Sequence, residues 1–177
     1  VAVALARSLR EVRIVARDPE HAARLATEAA AGEKGGVRYR STSADDAVRG
    51  ADVVITATSS AAPVFDGRLL GEGVHVTAVG SFKPTMRELD DVTMRGARIV
   101  VDQREGALAE AGELQGMRAE DVVEIGEVVA GTAPGRRTAS ERTIFKSVGN
   151  AIQDLVVASR VYERALELGL GVEITWP

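Results

Sequence analysis

Three stretches rich in β-branched residues run into small or hydroxyl-bearing side chains. Asp52-Val53-Val54-Ile55-Thr56-Ala57 leads into Thr58-Ser59-Ser60, Val74 to Val79 into Gly80-Ser81, and Ala97 to Val101 into Asp102-Gln103. Small side chains let a ligand approach the backbone, and hydroxyls can hydrogen-bond to it. In open α/β sheets ligands sit in that place, just beyond the carboxyl ends of the strands. Taken alone, Thr56-Ala57-Thr58-Ser59 also fits ordinary Ser/Thr turn chemistry. A further small-residue turn, Ser147-Val148-Gly149, precedes the longest helical pattern. A helix N-terminus there would favour negative charge, such as a substrate carboxylate. A capping serine followed by a first-turn glycine would read the same way. Other candidates are weaker. Asp102, Arg104, Glu105, Glu110 and Glu113 form an acid-rich stretch without a nearby His, which reads as a solvated helix face and not a metal site. His21 lies in a helical pattern and is expected to be exposed; His75 begins a strand and is expected to be structural. With two His and no Cys, neither a metal centre nor a catalytic triad is expected.

The elements that must position these residues alternate between strand and helix. Glu11 to Ala16 reads as a strand. Asp18-Pro19 then suits an N-cap and a first-turn proline, and Glu20 to Ala31 is rich in helix formers. Gly32 to Gly36 makes a loop, Val37 to Arg40 a short strand, and Ala44 to Arg49 a short helix capped by Ser43 and stopped by Gly50. The continuous β-branched run at 52–57 predicts a strand buried on both faces. Glu105 to Leu114 and, less regularly, Ala119 to Gly131 read as helical, Thr132 to Arg137 as a loop, and Arg142 to Lys146 as the last strand. Val148 to Leu168 is the longest helix, with Ile152, Leu155, Val156, Ala158, Val161, Ala165 and Leu168 near helical spacing. Such alternation predicts a doubly wound α/β fold with a parallel sheet.

Composition bounds the function. The chain has 177 residues, 45% apolar and 27% charged, as in a globular domain with a real core. A net charge of −4 with interspersed signs offers no field for nucleic acid, and 3% aromatics offer no stacking platform. No apolar run approaches the roughly 20 residues of a membrane helix. The lack of Cys and of a secretory pattern fits a cytoplasmic protein. The start, Val1-Ala2-Val3-Ala4-Leu5-Ala6, is a helical pattern without an N-cap, which reads as a truncated beginning; a short natural helix is the alternative.

Several longer phrases add to this: Asp52 to Ser60, Val79-Gly80-Ser81-Phe82, Arg87-Glu88-Leu89-Asp90, and Val101-Asp102 with Arg104-Glu105-Gly106-Ala107. Further on come Glu110-Ala111-Gly112-Glu113-Leu114, Gly126 to Gly131, and Phe145-Lys146-Ser147-Val148-Gly149 with Ala151-Ile152-Gln153-Asp154. In joint order and spacing, from about Glu11 to the end, they resemble the ornithine cyclodeaminase/mu-crystallin family. The resemblance implies a Rossmann-type, doubly wound parallel sheet that binds NAD or NADP. Residues 1–147 would form that domain, incomplete at its N-terminus. Residues 148–177 would return to a mostly missing substrate and dimerisation domain. The Gly-x-Gly-x-x-Ala turn and the first strand would lie before Val1, leaving a gap or an unpaired edge in the sheet. The chain alone would then bind cofactor weakly or not at all. Known activities of the family are ornithine cyclodeamination, alanine dehydrogenation and reduction of cyclic imino acids, and mu-crystallin binds NADPH. A homodimer is implied for the full-length protein.

Residue by residue, the resemblance puts Arg17 and Asp18 where a Rossmann domain reads the adenine ribose. An acid there selects NAD, whereas an Arg pairs with a 2′-phosphate; Ala16 followed by Arg17 favours NADP over NAD. A solvated Arg17 beside a helix-capping Asp18 is the plain alternative. Thr56, Ala57, Thr58 and Ser59 would lie beside the ribose and pyrophosphate; Val79, Gly80 and Ser81 beside the nicotinamide; and Ser147, Val148 and Gly149 against nicotinamide and substrate. Cyclodeaminating relatives carry, in the turn after the strand ending at Val79, an Asp followed by Pro-Gly-Lys, with the Asp as acid/base. Aligned without gaps, Phe82 holds the Asp position and Met86 the Lys position, while Pro84 does not depart from the pattern. A Phe cannot move a proton. Reduction of small imino acids by NAD(P)H is therefore the favoured reading, ahead of ornithine cyclodeamination or non-catalytic binding of NADPH and a small ligand. Lys83 is the remaining candidate for a proton-transfer group.

Overall fold

The computed structural model describes residues 9–32 and 35–175. The helical pattern at residues 1–8 lies outside them. Seven strands are present among the described residues: β1 (Glu11–Ile14), β2 (Arg38–Ser41), β3 (Val53–Thr56), β4 (His75–Ala78), β5 (Arg98–Val101), β6 (Val123–Glu124) and β7 (Thr143–Lys146). Every pairing is parallel. Helices and short turns of helix connect the strands, as a parallel sheet requires. The doubly wound, Rossmann-type α/β expectation holds.

The sheet is in two pieces. β1 pairs with β2 alone, while the remaining strands run β3-β4-β7-β5-β6. Among the described residues neither β1 nor β3 has a ladder partner on its other edge, which matches the expected gap. Arg13 links the pieces: its Nη1 donates to the carbonyls of Asp46, Ala47 and Arg49 at 3.1, 3.2 and 2.5 Å. A guanidinium at the exposed carbonyls of a short helix is favourable there. That helix, Ala44–Val48, starts on Ser43, whose hydroxyl accepts from Asp46 N.

In this order the last strand becomes central. β7 lies between β4 and β5, with Ala78 and Val101 both in register with Lys146. The turn after β7 is thereby delivered beside the turn after β4. One face of the five-stranded sheet carries the core: Val54, Val76, Ala78, Ile99, Val101 and Ile144 pack with Phe65, Leu70, Leu89, Ala107, Ala111 and Leu114. The other face is more open. Val53 and Ile55 are 43% and 53% exposed, so the β-branched run at 52–57 is buried on one face and not on both. Its composition states what the strand can bury, but not which neighbour covers it.

Two helical readings change. Glu105 to Leu114 breaks into a helix, Arg104–Glu110, and a 3-10 turn, Gly112–Leu114. A Cβ on Gly112 would overlap the Met86 carbonyl, so the chain crosses a neighbouring loop too closely for any side chain. Ala119 to Gly131 becomes a 3-10 turn, strand β6 and a short helix, Ile125–Val129. The long helix runs Ala151–Leu168. It begins later than expected and is capped by Asn150, which accepts from Ile152 N at 3.1 Å. Gly169, left-handed at φ 63°, ends it. Its Ile152, Leu155, Val156, Val161 and Leu166 are all exposed.

Candidate functional site

Three turns meet at the carboxyl ends of β3, β4 and β7. Val79 N donates to Thr56 O at 3.0 Å, and Ser147 N donates to Ala78 O at 3.1 Å. Thr56–Ser59, Val79–Ser81 and Ser147–Gly149 are thus brought together, as the sequence reading required. Ala57, Thr58, Ser59, Val79 and Gly149 are exposed at this edge. Gly80 passes so close to the β3 turn that an added Cβ would overlap Thr58 N and O and lie 2.5 Å from Glu88 Oε1. The strand ends therefore form a low rim of backbone and small side chains. That is what a dinucleotide needs in order to lie against main-chain atoms.

Arg17 and Asp18 stand apart, beyond the end of β1 in the two-stranded sheet. Asp18 caps the helix Pro19–Ala31, accepting from Glu20 N at 2.9 Å. Arg17 is exposed, and nothing among the described residues occupies its guanidinium. Lys83 is exposed beside the Phe82 ring, 5.7 Å from its centroid. Thr56 and Ser81 are buried. Their hydroxyls are committed inward, so these two residues support the rim without lining it.

The commitments lead to three carboxylates: Glu88, to which sequence reasoning assigned no site role, and Asp102 and Glu113, which it placed on a solvated face. Glu88, fully buried, accepts from Thr56 Oγ1 at 3.0 Å, Thr58 N at 2.5 Å and Gly80 N at 2.8 Å. Glu113, 5% exposed, accepts from Ser81 Oγ at 2.5 Å and Glu88 N at 2.6 Å. Asp102 accepts from Ser147 Oγ at 2.7 Å, Val148 N at 3.1 Å and Gly149 N at 2.8 Å through one oxygen, and from Gln103 N at 2.9 Å through the other. The acid-rich stretch is consequently no uniform solvated face: Glu105 and Glu110 are exposed, but Asp102 and Glu113 turn inward. Ser147 is likewise no N-cap, because its hydroxyl donates to Asp102.

Lys146 completes the cluster. Its Nζ is buried without a hydrogen-bond partner among the described residues and lies 3.8 Å from Glu113 Oε2. Burial pushes the ammonium below the usual lysine range, against the opposing pull of Glu113, Glu88 and Asp102. A signal for it existed. Along a strand, alternate residues share a face, and Lys146 is in phase with the buried Ile144.

Family comparison agrees with this geometry. Residues 1–169 match the model of the Ornithine cyclodeaminase/mu-crystallin family. The chain belongs to this family. Within it, the chain is 42% identical over 144 residues to a Delta(1)-pyrroline-2-carboxylate reductase of Bacillus thuringiensis, covering 77% of this chain and 44% of that protein. It is 42% identical over 156 residues to the ketimine reductase mu-crystallin of Mus musculus, covering 88% of this chain and 48% of that protein. The chain thus spans about half the length of these curated relatives. Among solved structures, the Thermococcus litoralis Delta(1)-pyrroline-2-carboxylate reductase in complex with NADH and L-proline superposes with a TM-score of 0.90 at 35% identity. That match covers 98% of this chain and 55% of the other. The family assignment and Rossmann-type fold read from the sequence both hold. Among the described residues no helix is long and apolar enough to cross a membrane.

At the opposite end of the strands, His75 is structural. Its Nδ1 lies 2.7 Å from Thr143 Oγ1 and its Nε2 3.2 Å from Thr77 Oγ1, while Arg136 Nη2 donates to Thr143 Oγ1 at 3.0 Å. Burial first, and the Arg136 charge second, hold His75 below its ordinary pKa of 6.5. The folded state therefore resists protonation while the unfolded chain accepts a proton. Stability contributed by this site is present above pH 6.5 and declines as pH falls below it. Denaturant titrations of the whole protein between pH 7.5 and 5.5 should show a shallower pH slope for His75→Asn than for wild type, a range of about two units around the ordinary His value.

Proposed function

We propose that the whole protein reduces the C=N bond of a small imino acid, of the pyrroline-2-carboxylate or wider ketimine type, using a nicotinamide dinucleotide. The observation that carries this reading is the shared backbone rim of Thr56–Ser59, Val79–Ser81 and Ser147–Gly149, closed up by Gly80. The names of relatives that match it across most of the chain point the same way. When bound, the cofactor supplies the hydride; the protein supplies position and electrostatics. Thr58 and Ser59 are exposed at the rim, and Gly80 lets the two strand-end turns close up to form it. Phe82, in the place of a cyclodeaminase acid, has no proton to give. That favours imine reduction over cyclisation of ornithine.

NADP is the cofactor we favour over NAD. Arg17 lies just beyond β1, where a 2′-phosphate would be read, and among the described residues nothing occupies its guanidinium. Residues 148–177 are assigned to a substrate and dimerisation unit. The exposed apolar side chains of Ala151–Leu168 suit burial there, and a homodimer is the expected assembly. Chemistry on amino-acid-derived imines suits a cytoplasmic setting.

The test follows nicotinamide absorbance after mixing the whole protein with Δ1-pyrroline-2-carboxylate and either NADPH or NADH. Reduced cofactor should be consumed, with a lower KM for NADPH. A lower KM for NADH would reject the NADP assignment. Ammonia release from ornithine without imine reduction would move the reading to cyclodeamination. Inertness toward both substrates, alongside tight NADPH binding, would leave a non-catalytic binder.

A further inference from the structure

We propose that Lys146, with Glu88, Glu113 and Asp102, is the positioning device of the cofactor cleft: Glu88 and Asp102 hold the backbone of three strand-end turns, Glu113 braces Glu88 and Ser81, and one ammonium holds the three carboxylates in a single arrangement. This rests on the proposed dinucleotide site at those turns. The placement supports it. Lys146 is the last residue of the central strand, in register with the ends of both neighbours. Glu88 spans the first two turns through Thr58 N and Gly80 N. Glu113 holds Glu88 by its backbone N–H and Ser81 by its hydroxyl. Asp102 holds the third turn through Val148 N and Gly149 N. None of these bonds caps the helix that follows its own strand. All but the Glu88 N to Glu113 bond join a cleft-facing turn to another segment, and that one braces the carboxylate that holds two of the turns.

The energetics point the same way. Burying charges is expensive, and a well-packed apolar set in their place would commonly be as stable or more so. A cluster kept for stability alone would be a poor solution. A carboxylate, however, accepts several N–H groups at once from different directions, which an apolar side chain cannot do. Among the described residues Lys146 Nζ makes no hydrogen bond, so it acts as a counter-charge. Glu113, 3.8 Å away, and Glu88 and Asp102, whose charges also act on it, would otherwise repel one another in a largely buried cluster. Removing the cation should splay the turns and blunt cofactor binding before it affects the hydride step.

The experiment uses Lys146→Met in the whole protein, alone and with Glu113→Gln. The second change restores the net charge of the cluster. It also keeps the bonds: the Gln oxygen can accept from Glu88 N, and its amide can donate to Ser81 Oγ. Calorimetric NADPH titration should show binding about tenfold weaker for Lys146→Met, recovered largely in the double variant. In turnover assays the change should fall on the cofactor KM, with kcat at saturating NADPH within about threefold. A lowered Tm with an unchanged NADPH Kd would overturn the proposal, as would equal weakening in the double variant. If Lys146→Met does not fold, Glu88→Gln is read in its place. Its amide must face Thr58 N–H or Gly80 N–H with a donor, so NADPH binding should weaken, and unchanged binding would overturn the proposal. Wild-type protein that binds NADPH but leaves imines untouched would end the proposed reaction and not this inference; wild-type protein that binds no dinucleotide would end both.

Discussion

Gly80→Ala should remove dinucleotide binding from the whole protein, lowering NADPH affinity by about a hundredfold or more and stability by about 3 kcal/mol. The new Cβ would overlap Thr58 N and O and press on Glu88 Oε1 at 2.5 Å. Two of these three contacts are backbone, which cannot rotate away as the tip of a flexible side chain can. The β3 turn must therefore move, and the bond from Thr58 N to Glu88 goes with it. Since Thr56 and Gly80 share Glu88 Oε2, the disturbance passes to both turns. Gly71→Ala is the matched control. Its Cβ would meet nothing within 4 Å, so affinity and stability should stay near wild type. Calorimetric titration of NADPH and denaturant unfolding on the two variants check both parts. Equal, small effects would mean that the two strand ends are free to separate.

Element identity was legible in the sequence because hydrophobic period and turn chemistry are local. Asp18-Pro19 and Ser43 start helices as their side chains dictate, and the β-branched runs ending at Thr56, Ala78 and Val101 are strands. What local signals lack is the identity of neighbours. The insertion of β7 between β4 and β5 is a long-range choice, and it decides that Ser147–Gly149 joins the site. The same blindness explains the misread acids. Asp102 and Glu113 are written in a stretch with Glu105 and Glu110 that looks uniformly solvated, yet their partners lie in other elements: Ser147, Val148 and Gly149 for one, Ser81 and Glu88 for the other. Lys146 was the exception that a strand-phase argument could have caught, since no lysine shares a face with a fully buried Ile144 without cause. Small residues at strand ends revealed where a ligand could lie. The charged groups that hold those ends were hidden because they act across sequence distance.

Asp102→Ala should cost the whole protein about a hundredfold in kcat/KM with imine and NADPH, and roughly 2–4 kcal/mol of stability. One oxygen of Asp102 gathers the Ser147 hydroxyl and the N–H groups of Val148 and Gly149, while the other takes Gln103 N. Alanine withdraws every one of these acceptors. Gly149, at φ 93°, sits in a backbone region open to glycine, so the turn has little stiffness of its own. With the anchor gone, the segment between β7 and the helix Ala151–Leu168 would shift by the order of an ångström. In the proposed reading that segment borders nicotinamide and substrate, where such a displacement costs about two orders of magnitude in rate. Asp102→Asn separates geometry from charge. Its single carbonyl oxygen can still accept from the Ser147–Gly149 turn, and only the bond to Gln103 N is lost to a donor facing a donor. The Asn variant should therefore keep its kcat/KM within about tenfold of wild type. Steady-state kinetics on the pair decide the matter: if Asn falls as far as Ala, the charge of Asp102 matters more than the shape of the turn it holds.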